Sequence, residues 1–371
     1  MERRTFVKAV VASSLGSAAA PALAAQQGTP TTAAPATASE AAAALPRLTD
    51  PGERRGEMLY RKLGTTGETV SAIGLGGFHI GKKTVSEEDG IKLMHEAADR
   101  GITFFDNCWD YNEGESETRM GKALSQGGYR DKVFLMTKLD GRTAKSAASQ
   151  LDESLTRLKT DHVDLVQFHE ILRFDDPDRV FAAGGAYEAV LAAKKAGKVR
   201  HIGFTGHKDP RVHLAMLDLA ARHGVRFDTV QMPINVMDAH FRSFGQLVAP
   251  RAVQEGIGIL GMKALGDSVI LKSNTATAVE CLTFSLSLPV SVLVTGIDDR
   301  RSLDQAFAVA KGFKPLDQAA MTALLARTEQ AAADGRYELF KTSAFFDGTA
   351  KNPHWLGGDT EDVTRLGPDN G

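Results

Sequence analysis

The chain has 371 residues, 43% hydrophobic and 24% charged, which is enough to bury a sizeable core. A formal net charge of −2 gives no electrostatic footprint for nucleic acid or an anionic membrane, so neither is expected as a partner. The two cysteines, Cys108 and Cys281, make no disulfide framework and no CxxC pair, and both are expected as free thiols.

Arg3 and Arg4 open the sequence RRTFVK, followed by a weakly apolar, Ala-rich run from Ala9 to Ala20 and a small-residue site at Ala22-Leu23-Ala24. That order predicts a twin-arginine signal over 1–24, export by the twin-arginine machinery, and a periplasmic or otherwise exported protein. The run is too short to span a bilayer, and no stable membrane insertion is expected. Residues 25–57, rich in Ala, Thr and Pro without apolar periodicity, predict a disordered linker.

Order is expected from Met58, with a barrel domain over 58–312 and a C-terminal helix and tail over 313–371. Leu59 to Leu63 and Val70 to Ile73, flanking Gly64-Thr65-Thr66-Gly67, read as a hairpin whose second arm runs into the first apolar strand. A helix follows over 86–100, with Ile91, Met94, His95 and Ala98 at helical spacing and Gly101 as its stop. Thr103 to Asp106 is a short buried strand, and Ser116 is placed to cap a helix running to Leu124. Strands at 133–138, 163–169, 199–205, 229–233, 257–263 and 290–296 alternate with helices at 144–158, 179–196, 210–223, 246–255, 275–288 and 301–311. Near-continuous apolar strands predict a parallel sheet covered on both faces. Eight strand–helix beats in about 250 residues predict an α/β fold of the (β/α)8 TIM-barrel type rather than a doubly wound sheet. One more helix, 317–333, and an aromatic tail complete the chain.

In such a barrel, chemistry sits at the C-terminal ends of strands. Asp106 ends the second strand, Tyr111 lies in its loop, Lys138 ends the third and His169 the fourth. The four types form a proton-relay set. A phenol titrates near 10 and needs lowering to donate a proton at neutral pH, which a nearby ammonium can do. A carboxylate fixes the ammonium, and a neutral imidazole orients the substrate oxygen.

The segments FFDNCWDYNEGESE, VFLMTK, VDLVQFH, GKVRHIGFT and TVQMP, in that order, resemble those of an aldo-keto reductase from about Leu59 to Lys311. The resemblance implies that Asp106, Tyr111, Lys138 and His169 are a catalytic tetrad, and that NADP(H), or NAD(H), lies extended across the barrel top. It further implies cofactor contacts from Thr205, Gly206, His207, Gln231, Met262, Lys263, Arg300 and Arg301. Gly206 stands where the family commonly has asparagine, and Met262-Lys263 replace its aromatic and serine. After the last barrel strand, Asp298 and Asp299 would repel a 2′-phosphate while Arg300 and Arg301 would attract one. Trp109, Phe78 and His79 are candidate walls of a substrate pocket.

The segment GLGGFH (74–79) lacks the third glycine of a dinucleotide fingerprint and reads as strand. Glu113, Glu115 and Glu117 read as a solvated helix start, and no metal site is expected. The expected activity is reduction of an aldehyde or ketone to an alcohol, or the reverse, on a small-molecule carbonyl or alcohol substrate. The alternatives are a dinucleotide-binding redox sensor or regulatory protein with little turnover, and a non-redox barrel enzyme with no dinucleotide affinity.

Overall fold

A computed structural model describes residues 37–358. The export signal expected over 1–24, the linker up to residue 36 and residues 359–371 lie outside the described residues. Strands β1 (Glu53–Arg55), β2 (Met58–Lys62) and β3 (Thr69–Ser71) form a small antiparallel sheet, with Tyr60 opposite Ser71. Eight parallel strands then close into a barrel. These are β4 (Ile73–Gly76), β5 (Phe104–Asp106), β6 (Phe134–Leu139), β7 (Val163–Phe168), β8 (Val199–Thr205), β9 (Thr229–Pro233), β10 (Gly258–Met262) and β11 (Val292–Gly296). Each strand but two pairs with its sequence neighbours; β11 closes the ring on β4, with Leu75 opposite Thr295. The chain folds as a (β/α)8 TIM barrel.

The two-residue side-chain period of a strand divides the barrel interior into layers. Phe104, Phe134, Met136, Leu165, Leu260 and Val292 pack as one apolar cluster, joined by Leu63 and Val70 of the hairpin. Gly74 makes space there, since a Cβ would stand 3.0 Å from the Phe104 ring. Two residues further along their strands come Asp106, Lys138 and Gln167, so the same alternation that fills the barrel with hydrocarbon delivers polar groups to its mouth. Outside, the helices cover the sheet with a second, larger apolar cluster.

Order begins earlier than expected. The reading of 25–57 as a disordered linker is corrected for residues 37–57, which form a helix, Ala38–Ala44, and strand β1. Thr37 and Glu40 close a capping box on that helix, and Ala38, Ala41, Ala42 and Leu45 are buried. The helix predicted over 179–196 is two helices, Asp176–Phe181 and Ala186–Lys195, separated at Gly184, whose φ is +72°. The 246–255 helix is likewise divided, because Pro250 begins a new one at Ala249–Gln254. GLGGFH is only half strand, as residues Gly77–Ile80 form one helical turn. Ser116 does not cap its helix, which starts at Glu115 behind a left-handed Gly114.

The tail folds over the barrel mouth. His207 Nδ1 lies 3.1 Å from the Phe340 carbonyl, Lys208 pairs with Asp347 at 2.8 Å, and the Arg142 N–H donates to the Leu356 carbonyl at 2.7 Å.

Candidate active site

The loop after β5 is held before it reaches Tyr111. The N–H groups of Asn107 and Trp109 donate to the carbonyls of Met136 and Lys138, which extends the β5–β6 pairing past the strand end. The chain then passes through three successive left-handed residues, Asn112, Glu113 and Gly114. For the first two this is a conformation L-residues seldom adopt, and side-chain bonds hold it. Asn112 donates to the Phe78 carbonyl at 2.8 Å and to Ser116 Oγ at 2.9 Å. Tyr111 is thereby fixed edge-on to Phe78 and to His169, with ring centroids 5.4 and 5.9 Å away.

The four residues of the relay come together. Lys138 Nζ donates to Asp106 Oδ1, to the Asn107 carbonyl at 2.8 Å and to Tyr111 Oη at 3.2 Å. Asp106 Oδ2 also accepts from Gln231 Nε2 at 2.6 Å. The expected lowering of the phenol is absent, and its pKa is instead raised well above the ordinary value. Burial is the main cause, followed by the negative charge of the neighbouring Asp106 carboxylate. The phenol is therefore protonated through the neutral range, with the Lys138 ammonium in hydrogen-bond reach of its oxygen.

His169 has a setting that its sequence position does not reveal. Its Nδ1 lies 2.9 Å from Asp140 Oδ1, 3.2 Å from Cys108 Sγ and 3.6 Å from Asp110 Oδ1. Burial alone would depress the imidazole, but the Asp140 and Asp110 carboxylates outweigh it and raise its pKa. Burial, and then Asp140, push the Asp110 carboxyl up to about 7. Nε2 of His169 has no hydrogen-bond partner among the described residues. Asp140 and Asp110 were missed in the sequence. The available signal was Asp140 itself, a carboxylate directly after a buried strand.

Arg142 clamps this corner, donating to Asp140 O, His169 O, Glu170 O and the Asp176 carboxylate. Glu170, also missed, accepts from the N–H groups of Gly348 and Thr349 and from Thr349 Oγ1 at 2.7–2.8 Å. Glu117 is fully buried and accepts from Thr137 at 2.5 Å, so the reading of this acid as part of a solvated helix start is corrected.

The expected cofactor positions divide into two groups. Thr205 and Gln231 are opposite one another on β8 and β9, both buried. Gln231 Oε1 is enclosed without a partner, and the Thr205 hydroxyl has none among the described residues. Two unspent polar groups on the barrel wall fit the carboxamide of a nicotinamide. Gly206 is dictated by space, since a Cβ would strike the Ile171 carbonyl and stand 2.8 Å from His213. An asparagine could not fit there. Lys263, left-handed at φ +57°, lies beneath Phe346 and Phe340 at 4.5 and 5.4 Å and makes no ion pair among the described residues. Burial lowers its pKa to about 8. An ammonium so placed fits a diphosphate. Met262, partly exposed, ends β10 just before it.

The others stand apart from these. His207 is spent on the Phe340 carbonyl, and burial lowers its pKa. Arg300 pairs with Glu96 at 2.9 Å, while Arg301 has a side chain 93% exposed. Asp299 already caps the adjoining helix, accepting from Ser302 N–H at 2.7 Å. Of the pocket candidates, Phe78 is 41% exposed beside Tyr111. His79 approaches Asp267 at 3.4 Å. Trp109 turns outward to Glu153 at 2.8 Å and meets Trp355 of the tail edge-on at 5.6 Å.

Comparison with known proteins bears on the family and the fold. A model described as "Aldo/keto reductase family" matches residues 72–281. The chain is 32% identical over 243 residues to the uncharacterized oxidoreductase YrpG of Bacillus subtilis, covering 59% of this chain and 72% of that protein. It is 34% identical over 155 residues to L-galactose dehydrogenase of Arabidopsis thaliana, covering 39% and 48%. Among solved structures, the holo form of an aldo-keto reductase from Bacillus halodurans superposes with a TM-score of 0.61 at 20% identity, over 76% of this chain and 99% of that one.

Proposed function

We propose, from the premise that the chain belongs to the aldo/keto reductase family and is an oxidoreductase, that it interconverts an aldehyde or ketone with its alcohol using NADP(H) or NAD(H). What carries the reading is the enclosed relay of Asp106, Lys138 and Tyr111, with His169 edge-on to the phenol. A bound nicotinamide would supply the hydride to the carbonyl carbon. Tyr111 keeps its proton until negative charge develops on the substrate oxygen, then donates it. Lys138, pinned by Asp106 and the Asn107 carbonyl, steadies the phenolate left behind. His169 offers the free Nε2 to the substrate oxygen. Thr205 and Gln231 would hold the nicotinamide and Lys263 the diphosphate. The exposed Arg301 supports NADP(H), whereas Asp299 at the helix start favours NAD(H), with no 2′-phosphate.

The test is a titration of the full chain with NADPH and separately with NADH, read by fluorescence. Binding of either is expected, and binding of neither would overturn the reading. Tyr111→Phe should lower turnover by at least about 100-fold while leaving dinucleotide affinity unchanged. Export is part of the same reading and rests on Arg3, Arg4 and the apolar run behind them. Residues 1–24 fused to a folded reporter should carry it out of the cell, and Arg3→Lys with Arg4→Lys should retain it inside.

A further inference from the structure

Beside the relay lies a second cluster, which shares His169 with it and adds three side chains that the proposed reaction does not use. Cys108 Sγ, Asp110, Asp140 and His169 each present one donor atom, and these atoms all lie within 4.8 Å of one another. They come from the loop after β5 and from the residues directly following β6 and β7, three neighbouring strand ends of a rigid barrel. The Asp140 side chain is fully enclosed, and among the described residues neither its Oδ2 nor the buried Oδ1 of Asp110 has a hydrogen-bond partner. Among the described residues no second cation is available to these carboxylates. Lys138 is committed to Asp106, and the Arg142 guanidinium reaches Asp140 only through its backbone carbonyl and spends its charge on Asp176. Buried carboxylates are paired or coordinate a metal, and here two share one imidazole.

We propose that Cys108, Asp110, Asp140 and His169 bind one divalent cation of borderline-soft character, with Zn2+ the best match. One thiolate, one imidazole and two carboxylate oxygens suit that ion and a tetrahedral geometry. With bonds of about 2.0 Å to nitrogen and oxygen and 2.3 Å to sulfur, the edges of such a tetrahedron are roughly 3.3–3.5 Å. The separations from His169 Nδ1 to Asp140, Cys108 and Asp110, at 2.9, 3.2 and 3.6 Å, need only small adjustment to meet this. Binding displaces the proton of the Cys108 thiol and any proton on Nδ1. With the metal on Nδ1, the remaining imidazole proton must sit on Nε2, and His169 becomes a fixed donor towards the substrate pocket. That consequence rests on the proposed reaction; the binding site itself does not.

The probe is Co2+, added to the full chain after chelator treatment, with binding read as visible absorption and as a thiolate-to-cobalt band in the near ultraviolet. One Co2+ per chain is expected, displaced by Zn2+. Cys108→Ser should remove the thiolate band, Asp140→Asn should weaken binding by at least about 10-fold, and Cys281→Ser should change neither. Circular dichroism checks that each variant folds; should Cys108→Ser fail to do so, Asp140→Asn and Asp110→Asn give the readout. No saturable binding, or a band that survives Cys108→Ser, would overturn the site and leave an imidazole hydrogen-bonded between two carboxylates. Both results are independent of dinucleotide binding and turnover, so this site and the proposed reaction fail separately.

Discussion

Burial holds the Lys263 ammonium at about 8, against an ordinary value near 10.5, while Glu170, Asp267 and Asp347 pull it up and Lys138 pushes it further down. A lysine whose folded-state pKa is depressed opposes folding while it is charged. The cost is fully present below about 8 and disappears as pH rises towards the unfolded value. An anion bound against it reverses the balance, because the ligand favours the charged form. NADPH affinity should therefore be level below about pH 8 and fall above it by up to about tenfold per pH unit. Lys263→Met should bind more weakly at pH 7 and show a flat profile up to pH 9. A wild-type profile that stays level through pH 9 would remove Lys263 from the diphosphate site.

At the scale of elements, the strands were legible and the N-terminal helix was not. Apolar runs such as VFLMTK and VDLVQFH are buried on both faces, so each announced a barrel strand and the polar residue at its end. Asp106, Tyr111, Lys138 and His169 came from that logic because each sits at or just past a strand end. The cluster around His169 did not, since it joins side chains from three loops whose proximity is set by the pairing of β5, β6 and β7. The helix Ala38–Ala44 was hidden by composition: alanine carries too little hydrocarbon to stand out from a linker, although Thr37-Ala38-Ser39-Glu40 spells a capping box. Its neighbour Leu45 is buried, Ala41 O accepts from Gln246 and Arg47 bonds Gln318 at 2.6 Å. Leu45→Ala should then cost about 2–3 kcal/mol in denaturant unfolding. If these residues were a mobile linker in solution, the substitution would cost nothing measurable.

For the molecule as a whole, the barrel mouth is closed from two sides. On one, the loop after β10 reaches the loop after β4, with Asp267 paired to His79 at 3.4 Å and to Lys82 at 3.7 Å. On the other, the tail crosses the ends of β6, β7 and β8, latched by Glu170 to Gly348 and Thr349 and by Gln150 to the Trp355 carbonyl at 2.9 Å. Glu170 is held well below the usual carboxylate range: burial opposes ionisation, but the facing His207 ring, the charge of His169 and the Thr349 N–H outweigh it. The latch therefore stays charged through the neutral range. Phe340 and Phe346 of the same tail cover Lys263, so a dinucleotide held there cannot leave along that side without displacing them. Removing residues 344–371 should accelerate NADPH release by about tenfold or more, as measured by stopped-flow displacement, while the barrel core keeps its cooperative unfolding. Glu170→Ala should act in the same direction but less strongly, each lost charged hydrogen bond contributing about 1.5–3 kcal/mol to the latch. If the truncated chain releases NADPH at the wild-type rate, the tail is a passive covering and the closure lies wholly with the Asp267 loop.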